Sequence, residues 1–145
     1  MKRQAMAPVE RFGGSQVQNS KKILIADDDT RNRKLLETLL TSEGYQVASA
    51  PSGQAALTAA VAEKPDLILL DLMMPGMDGF EVLRRLKAMP DLQKVDVVMV
   101  TALDDAGSRA RMDAAGAAGL LLKPVDRWKL KELVEQLLGG GDAAG

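Results

Sequence analysis

Neither cysteine nor histidine occurs among the 145 residues. Without cysteine there can be no disulfide framework, thiolate metal site or cysteine nucleophile. Without histidine there is no imidazole acid–base chemistry and no histidine-ligated metal. Aromatic residues make up 3% of the chain, so a core must be assembled from Leu, Val, Ile, Met and Ala. The formal net charge is −1, which gives no bulk electrostatic case for binding nucleic acid. No apolar run is long enough to span a bilayer. Lys2 and Arg3 are not followed by the apolar stretch of a secretory signal. These absences predict a cytoplasmic protein with no direct nucleic-acid or membrane partner. Its chemistry is left to carboxylates, hydroxyls, lysine or a hard metal ion.

What is present fits one globular domain. Apolar residues make up 46%, and the length suits a single core. Residues 1–20 lack a regular apolar period and read as a flexible N-terminal extension, and 139–145, rich in glycine, as a flexible tail. Between them, over 21–138, short apolar runs alternate with helical patterns. The runs are KILIAD (22–27), YQVASA (45–50), DLILLD (66–71), VDVVMV (95–100) and GLLLK (119–123). Three are almost continuously apolar, as strands buried on both faces are. Helical spacing appears at Leu35, Leu36, Leu39 and Leu40 before a stop at Gly44, and over the alanine-rich 53–63. It recurs at Phe80, Leu83 and Leu86, more weakly over 105–115, and at Leu130, Leu133, Val134, Leu137 and Leu138 behind a cap at Asp126. Five strands alternating with five helices predict an α/β fold in three layers, a doubly wound parallel sheet. Ligands of such sheets bind beyond the carboxyl ends of the strands, where the strand order switches.

The strand ends carry the chemistry. The first ends in Asp27 and Asp28, the third in Asp71, the fourth runs into Thr101 and Ala102, and the fifth into Lys123 and Pro124. Clustered carboxylates repel one another, and burial disfavours their charged forms. A divalent cation such as Mg²⁺ resolves the conflict, taking carboxylate and phosphate oxygens. A carboxylate can also attack phosphorus to form an acyl phosphate, with a lysine and a hydroxyl stabilising the phosphoryl oxygens in transit.

The stretches ILIADDD, DLILLDLMMPGMDGFEVLRRLK, VVMVTAL and LLLKPVD, in this order and spacing, closely resemble the receiver domain of two-component response regulators. The resemblance covers about 21–138. It implies the flavodoxin-like strand order 2-1-3-4-5 and makes Asp71 the phosphoacceptor. It implies Mg²⁺ (or Mn²⁺) bound by Asp28, Asp71 and the backbone carbonyl of Met73, with Asp27 assisting through water. Thr101, Lys123 and the backbone of Ala102 would contact the phosphoryl group, and the Lys123–Pro124 peptide would be cis. The implied donor is a histidine kinase or histidine phosphotransfer protein. The implied output is a downstream protein partner, with a dimer through the fourth and fifth helices as one arrangement.

Three positions depart from the family's habit. Leu120 stands where a Tyr or Phe often turns inward as part of the switch, so output is expected to depend more on Thr101, its following loop and the fourth helix. Met73 and Leu103 flank the path of the hydrolytic water and cannot orient it, which predicts slow self-dephosphorylation. Val125 replaces a common Phe, a change in packing. Of the remaining residues, Asp29 and Asp78 are read as helix-start acids, Met73, Met74 and Met77 as packing, Trp128 as a cover over the base of the last helix, and Arg109 and Arg111 as a solvated face. The chain is expected to act as a stand-alone receiver. An alternative is a receiver cut from a larger regulator such as a cyclic-di-GMP synthase. An aspartate-nucleophile phosphatase is the other alternative, but Arg31 stands where the Thr of the haloacid-dehalogenase Asp-x-Asp-x-Thr motif belongs.

Overall fold

The computed structural model describes residues 21–139. The expected extensions, 1–20 and all but the first residue of 139–145, lie outside the described residues. In chain order the elements are β1 (Lys22–Ala26), α1 (Thr30–Ser42), β2 (Gln46–Ala50), α2 (Gly53–Glu63) and β3 (Leu67–Asp71). They continue as α3 (Gly79–Ala88), β4 (Asp96–Thr101), α4 (Ala106–Ala114), β5 (Gly119–Leu122) and α5 (Arg127–Leu138). All strands pair in parallel in the order β2-β1-β3-β4-β5, the flavodoxin-like order. Each observed strand begins and ends within a residue of its expected run, because an apolar run bounded by polar or turn residues leaves little choice of limits. Among the described residues no helix is long and apolar enough to cross a membrane.

Period-two alternation divides the core into two layers. Ile23, Ile25, Leu67, Leu69, Val98, Val100 and Leu121 face α1 and α5, where Leu36, Leu40, Leu130 and Val134 meet them. Leu24, Ala26, Ile68, Leu70, Val97 and Met99 face the other way, onto Ala56, Leu57, Ala60, Val82, Leu83, Leu86 and Met112 of α2, α3 and α4. β1 from Ile23 to Ala26 and β3 from Leu67 to Leu70 are therefore continuously apolar and buried, whereas the edge strand β2 is half exposed.

Each helix starts on a side-chain cap. Asp29, Ser52, Asp78, Asp105 and Asp126 accept hydrogen bonds from the first free N–H groups of α1 to α5. Asp29, Asp78 and Asp126 thus do what was expected of them. Gly139 caps the end of α5 in the left-handed region. Three readings need correction. Trp128 does not cover the base of α5: it is 69% exposed. It sits two positions from the buried Leu130, which at 100° per residue places it on the far side of the helix. Met73 is 66% exposed, and only Met74 and Met77 pack on the core. Arg111 is exposed, as a solvated face requires, and its guanidinium also stacks 3.7 Å over the Phe80 ring, tying α4 to α3. Leu35, placed on the apolar stripe of α1, is also exposed.

Candidate functional site

β1 and β3 are neighbours, yet their connections leave in opposite directions along the sheet, so a crevice opens beyond their carboxyl ends. The parallel ladder continues one residue into this rim. Asp27 N–H donates to the Ala50 carbonyl at 3.1 Å, Leu72 N–H to Val100 at 3.1 Å, and Lys123 N–H to Thr101 at 2.9 Å. The residues at the strand ends are thereby held as firmly as the sheet.

Asp27 and Asp71 are buried, at 1% and 3% exposure, while Asp28 is exposed. One carboxylate oxygen from each of the three lies within 4.8 Å of the other two. Lys123 Nζ donates to Asp71 Oδ1 at 3.0 Å and lies 3.7 Å from Asp27 Oδ2. Asp71 Oδ1 also accepts from the Met73 N–H at 3.3 Å. Burial pushes the Asp71 carboxyl above the ordinary carboxylate range; the Lys123 hydrogen bond opposes this, and the charge of Asp27 reinforces it. Three acids against one ammonium leave the cluster short of positive charge. All its free donors are hard oxygens, so the residues present fit Mg²⁺ or Mn²⁺.

The structure brings together Asp27, Asp28, Asp71 and Lys123 as expected. Met73 follows directly in the β3–α3 loop, its side chain turned to solvent. Thr101 is buried at the end of β4 and shares the strand parity of Val97 and Met99, whereas Asp71 shares that of Leu67 and Leu69. Its hydroxyl accepts from the Leu103 N–H at 3.1 Å. Ala102 and Leu103 are exposed on the same loop, and Leu120 packs against the α2–α4 layer of the core. The Lys123–Pro124 peptide is cis.

Two residues escaped the sequence reading. Asn32 Nδ2 donates to Asp27 Oδ2 at 2.6 Å, and Arg33 Nη1 to the Asp27 carbonyl at 2.7 Å. Both lie in the first turn of α1, which doubles back over the end of β1. No spacing rule signals such contacts, because they depend on the path of the 27–29 turn.

The model of the response regulator receiver domain family matches residues 23–135. The chain is 49% identical to the response regulator PleD of Caulobacter vibrioides over 107 residues, covering 74% of this chain and 24% of PleD. It is 36% identical to sporulation initiation phosphotransferase F of Bacillus subtilis over 119 residues, 82% of this chain and 94% of that protein. The chain thus spans about a quarter of the length of PleD and nearly all of the Bacillus protein. Among solved structures, the receiver domain of the sensor histidine kinase PA1611 from Pseudomonas aeruginosa superposes with a TM-score of 0.76 at 29% identity, covering 83% of this chain and 98% of that one. That structure has a magnesium ion in its active-site cleft.

Proposed function

This chain belongs to the response regulator receiver domain family, and from that premise we propose that Asp71 accepts a phosphoryl group from a phosphohistidine donor, in a site completed by Mg²⁺. The observation that carries the proposal is the placement of one buried carboxylate, Asp71, against Lys123 at 3.0 Å and within 4.8 Å of two further acids. Asp28, Asp71 and the main-chain carbonyl of Met73 would hold the metal, and Asp27 would reach it through water. Bound there, Mg²⁺ supplies positive charge to oxygens that would otherwise repel an incoming phosphoryl group.

A carboxylate oxygen of Asp71 attacks phosphorus in line. The P–N bond of the donor breaks, and the leaving imidazole keeps the electron pair and takes a proton. Lys123 passes its hydrogen bond from Asp71 to a phosphoryl oxygen. The Ala102 N–H and the Thr101 hydroxyl are the other donors nearby; Thr101 Oγ1 accepts from the Leu103 N–H, which leaves its own O–H proton free to donate to a phosphoryl oxygen. Turning of that O–H toward the phosphoryl group, with movement of the loop after Thr101 and with Leu120 packed nearby on the core, is the switch. Met73 and Leu103 present apolar side chains at the mouth and orient no water, so the acyl phosphate decays slowly. The partners in this reading are a histidine kinase or histidine phosphotransfer protein, in the cytoplasm, and a downstream protein.

Incubation with acetyl phosphate and Mg²⁺ tests the core of the proposal. Native protein should take up one phosphoryl group and Asp71→Ala none; equal labelling of both would refute it. The decay rate tests the water path: Met73→Asn with Leu103→Glu should lose phosphate faster than native protein. A second reading, a receiver segment of a longer regulator such as a cyclic-di-GMP synthase, is favoured by the 49% identity to PleD, of which the matched segment is 24%.

A further inference from the structure

Asp27 is held on every side by one turn of chain. Its Oδ1 accepts from the Asp29 N–H at 2.8 Å, its Oδ2 from Asn32 Nδ2 at 2.6 Å, and its carbonyl from Arg33 Nη1 at 2.7 Å. Asp28 beside it has no side-chain hydrogen bond or ion pair among the described residues. Of the two buried acids, Asp27 is therefore fixed by the protein, and Asp71 by Lys123 and a single N–H.

Lys123 is placed between these two acids, at 3.0 Å from Asp71 Oδ1 and 3.7 Å from Asp27 Oδ2. The Asp27 oxygen facing Lys123 is the one that Asn32 occupies. A buried carboxylate oxygen that loses its donor must find another, and Lys123 is the cation within reach. We infer that Asn32 is a positioning residue of the acidic site: its amide satisfies Asp27 Oδ2, which keeps Lys123 on Asp71 and the three carboxylates at a spacing that suits a divalent cation. The inference rests on the reading of this cluster as a metal and phosphoacceptor site. A carboxamide suits the task because it donates to the carboxylate without adding a charge that would compete with Lys123 or the metal.

The test compares Asn32→Ala, Asn32→Leu and Asn32→Gln with native protein. Asn32 lies in the first turn of α1 and is half-buried, and Ala and Leu are good helix formers, so the fold should survive, as thermal melts will show. Mg²⁺ affinity by calorimetry should fall about tenfold in the Ala and Leu variants, the size of loss seen when a ligand's outer partner is removed, and recover in part with Gln. In metal-free protein the side-chain ¹³Cε and ¹⁵Nζ resonances of Lys123 should move in the Ala and Leu variants as the ammonium shifts toward Asp27. An unmoved Lys123 signal together with native Mg²⁺ affinity in both variants would overturn the role. Native protein that bound no Mg²⁺ would instead refute the site reading, while the Lys123 resonances in EDTA still decide what Asn32 does.

Discussion

Replacing Gly79 with alanine sets two opposing effects against each other at the base of the site. Gly79 is the first residue of α3 and is buried. A Cβ there would stand 2.8 Å from the Asp71 carbonyl oxygen, 2.8 Å from Leu72 Cα and 3.0 Å from Met99 Cε. Two of these three are backbone atoms at the end of β3, held by the ladder and by the Gly79 N–H, which donates to the Leu72 carbonyl at 2.8 Å. They cannot rotate aside as a side chain would. Overpacking of this kind costs about 1–3 kcal/mol. Helix propensity favours alanine over glycine by at most about 1 kcal/mol, and less in a first turn. The clash wins, leaving a loss of roughly 1–2 kcal/mol, or about 3–10 °C in Tm for a domain of this size. Gly107→Ala is the control: it lies in α4, is exposed, and its Cβ would meet only the Asp105 Oδ2 side-chain atom at 3.3 Å. There propensity decides, and Tm should hold or rise. Calorimetric melts in EDTA separate the two cases. Gly79→Ala melting at or above native protein, or both variants moving alike, would refute the reasoning. Because the displaced atoms belong to Asp71 and its neighbour, Gly79→Ala should also bind Mg²⁺ more weakly.

Three further outcomes follow from the same geometry. Burial, more than the opposing Lys123 bond, raises the Asp71 pKa, with Asp27 adding to it. The folded state therefore binds this proton more tightly than the unfolded chain, and the associated stability is present below the ordinary Asp value of about 3.9 and lost as pH rises through the folded value. In EDTA at pH 7, Asp71→Asn should melt above native protein, with the gap closing toward pH 4; Mg²⁺ should reverse the order by stabilising native protein alone. A native Tm above that of the variant in EDTA at pH 7 would contradict this. Glu81, bonded to Arg84 and Arg85, has its pKa lowered to about 2, so its ¹³C carboxyl resonance should stay flat from pH 7 to pH 4. Asp126 caps α5 through the Trp128 and Lys129 N–H groups at 2.7 and 3.1 Å. Asp126→Ala should cost about 1 kcal/mol, seen as a lower urea midpoint, and an unchanged midpoint would deny the cap its weight.

The strands were legible because 23–26 and 67–70 are unbroken apolar runs bounded by charged residues, a pattern that fixes both their burial and their limits. The same alternation that places Asp27, Asp71 and Lys123 on one face places Thr101 on the other. This is visible in VVMVT once parity is counted from Val97. Trp128 is apolar enough to suggest a buried cover, but its angle from Leu130 sets it on the solvent side of α5. Met73 lies in a loop with no period to read. Asn32 and Arg33 were not legible at all: their bonds to Asp27 depend on how sharply the chain turns between β1 and α1, and no residue type encodes that angle.

Lys123 comes from the last strand to be synthesised, and its bond to Asp71 closes a span of 52 positions. Any intermediate in which β1, β3 and β4 have paired but β5 has not therefore carries the carboxylates of Asp27, Asp28 and Asp71 with no ammonium among them. Such a sheet is penalised by its own charge until β5 docks against β4 and delivers the cation. The site acts as a check on completeness, since a chain truncated before Lys123 assembles the repulsion without its remedy. Divalent metal in the folding buffer should then favour a sheet still lacking β5 more than it favours the finished domain.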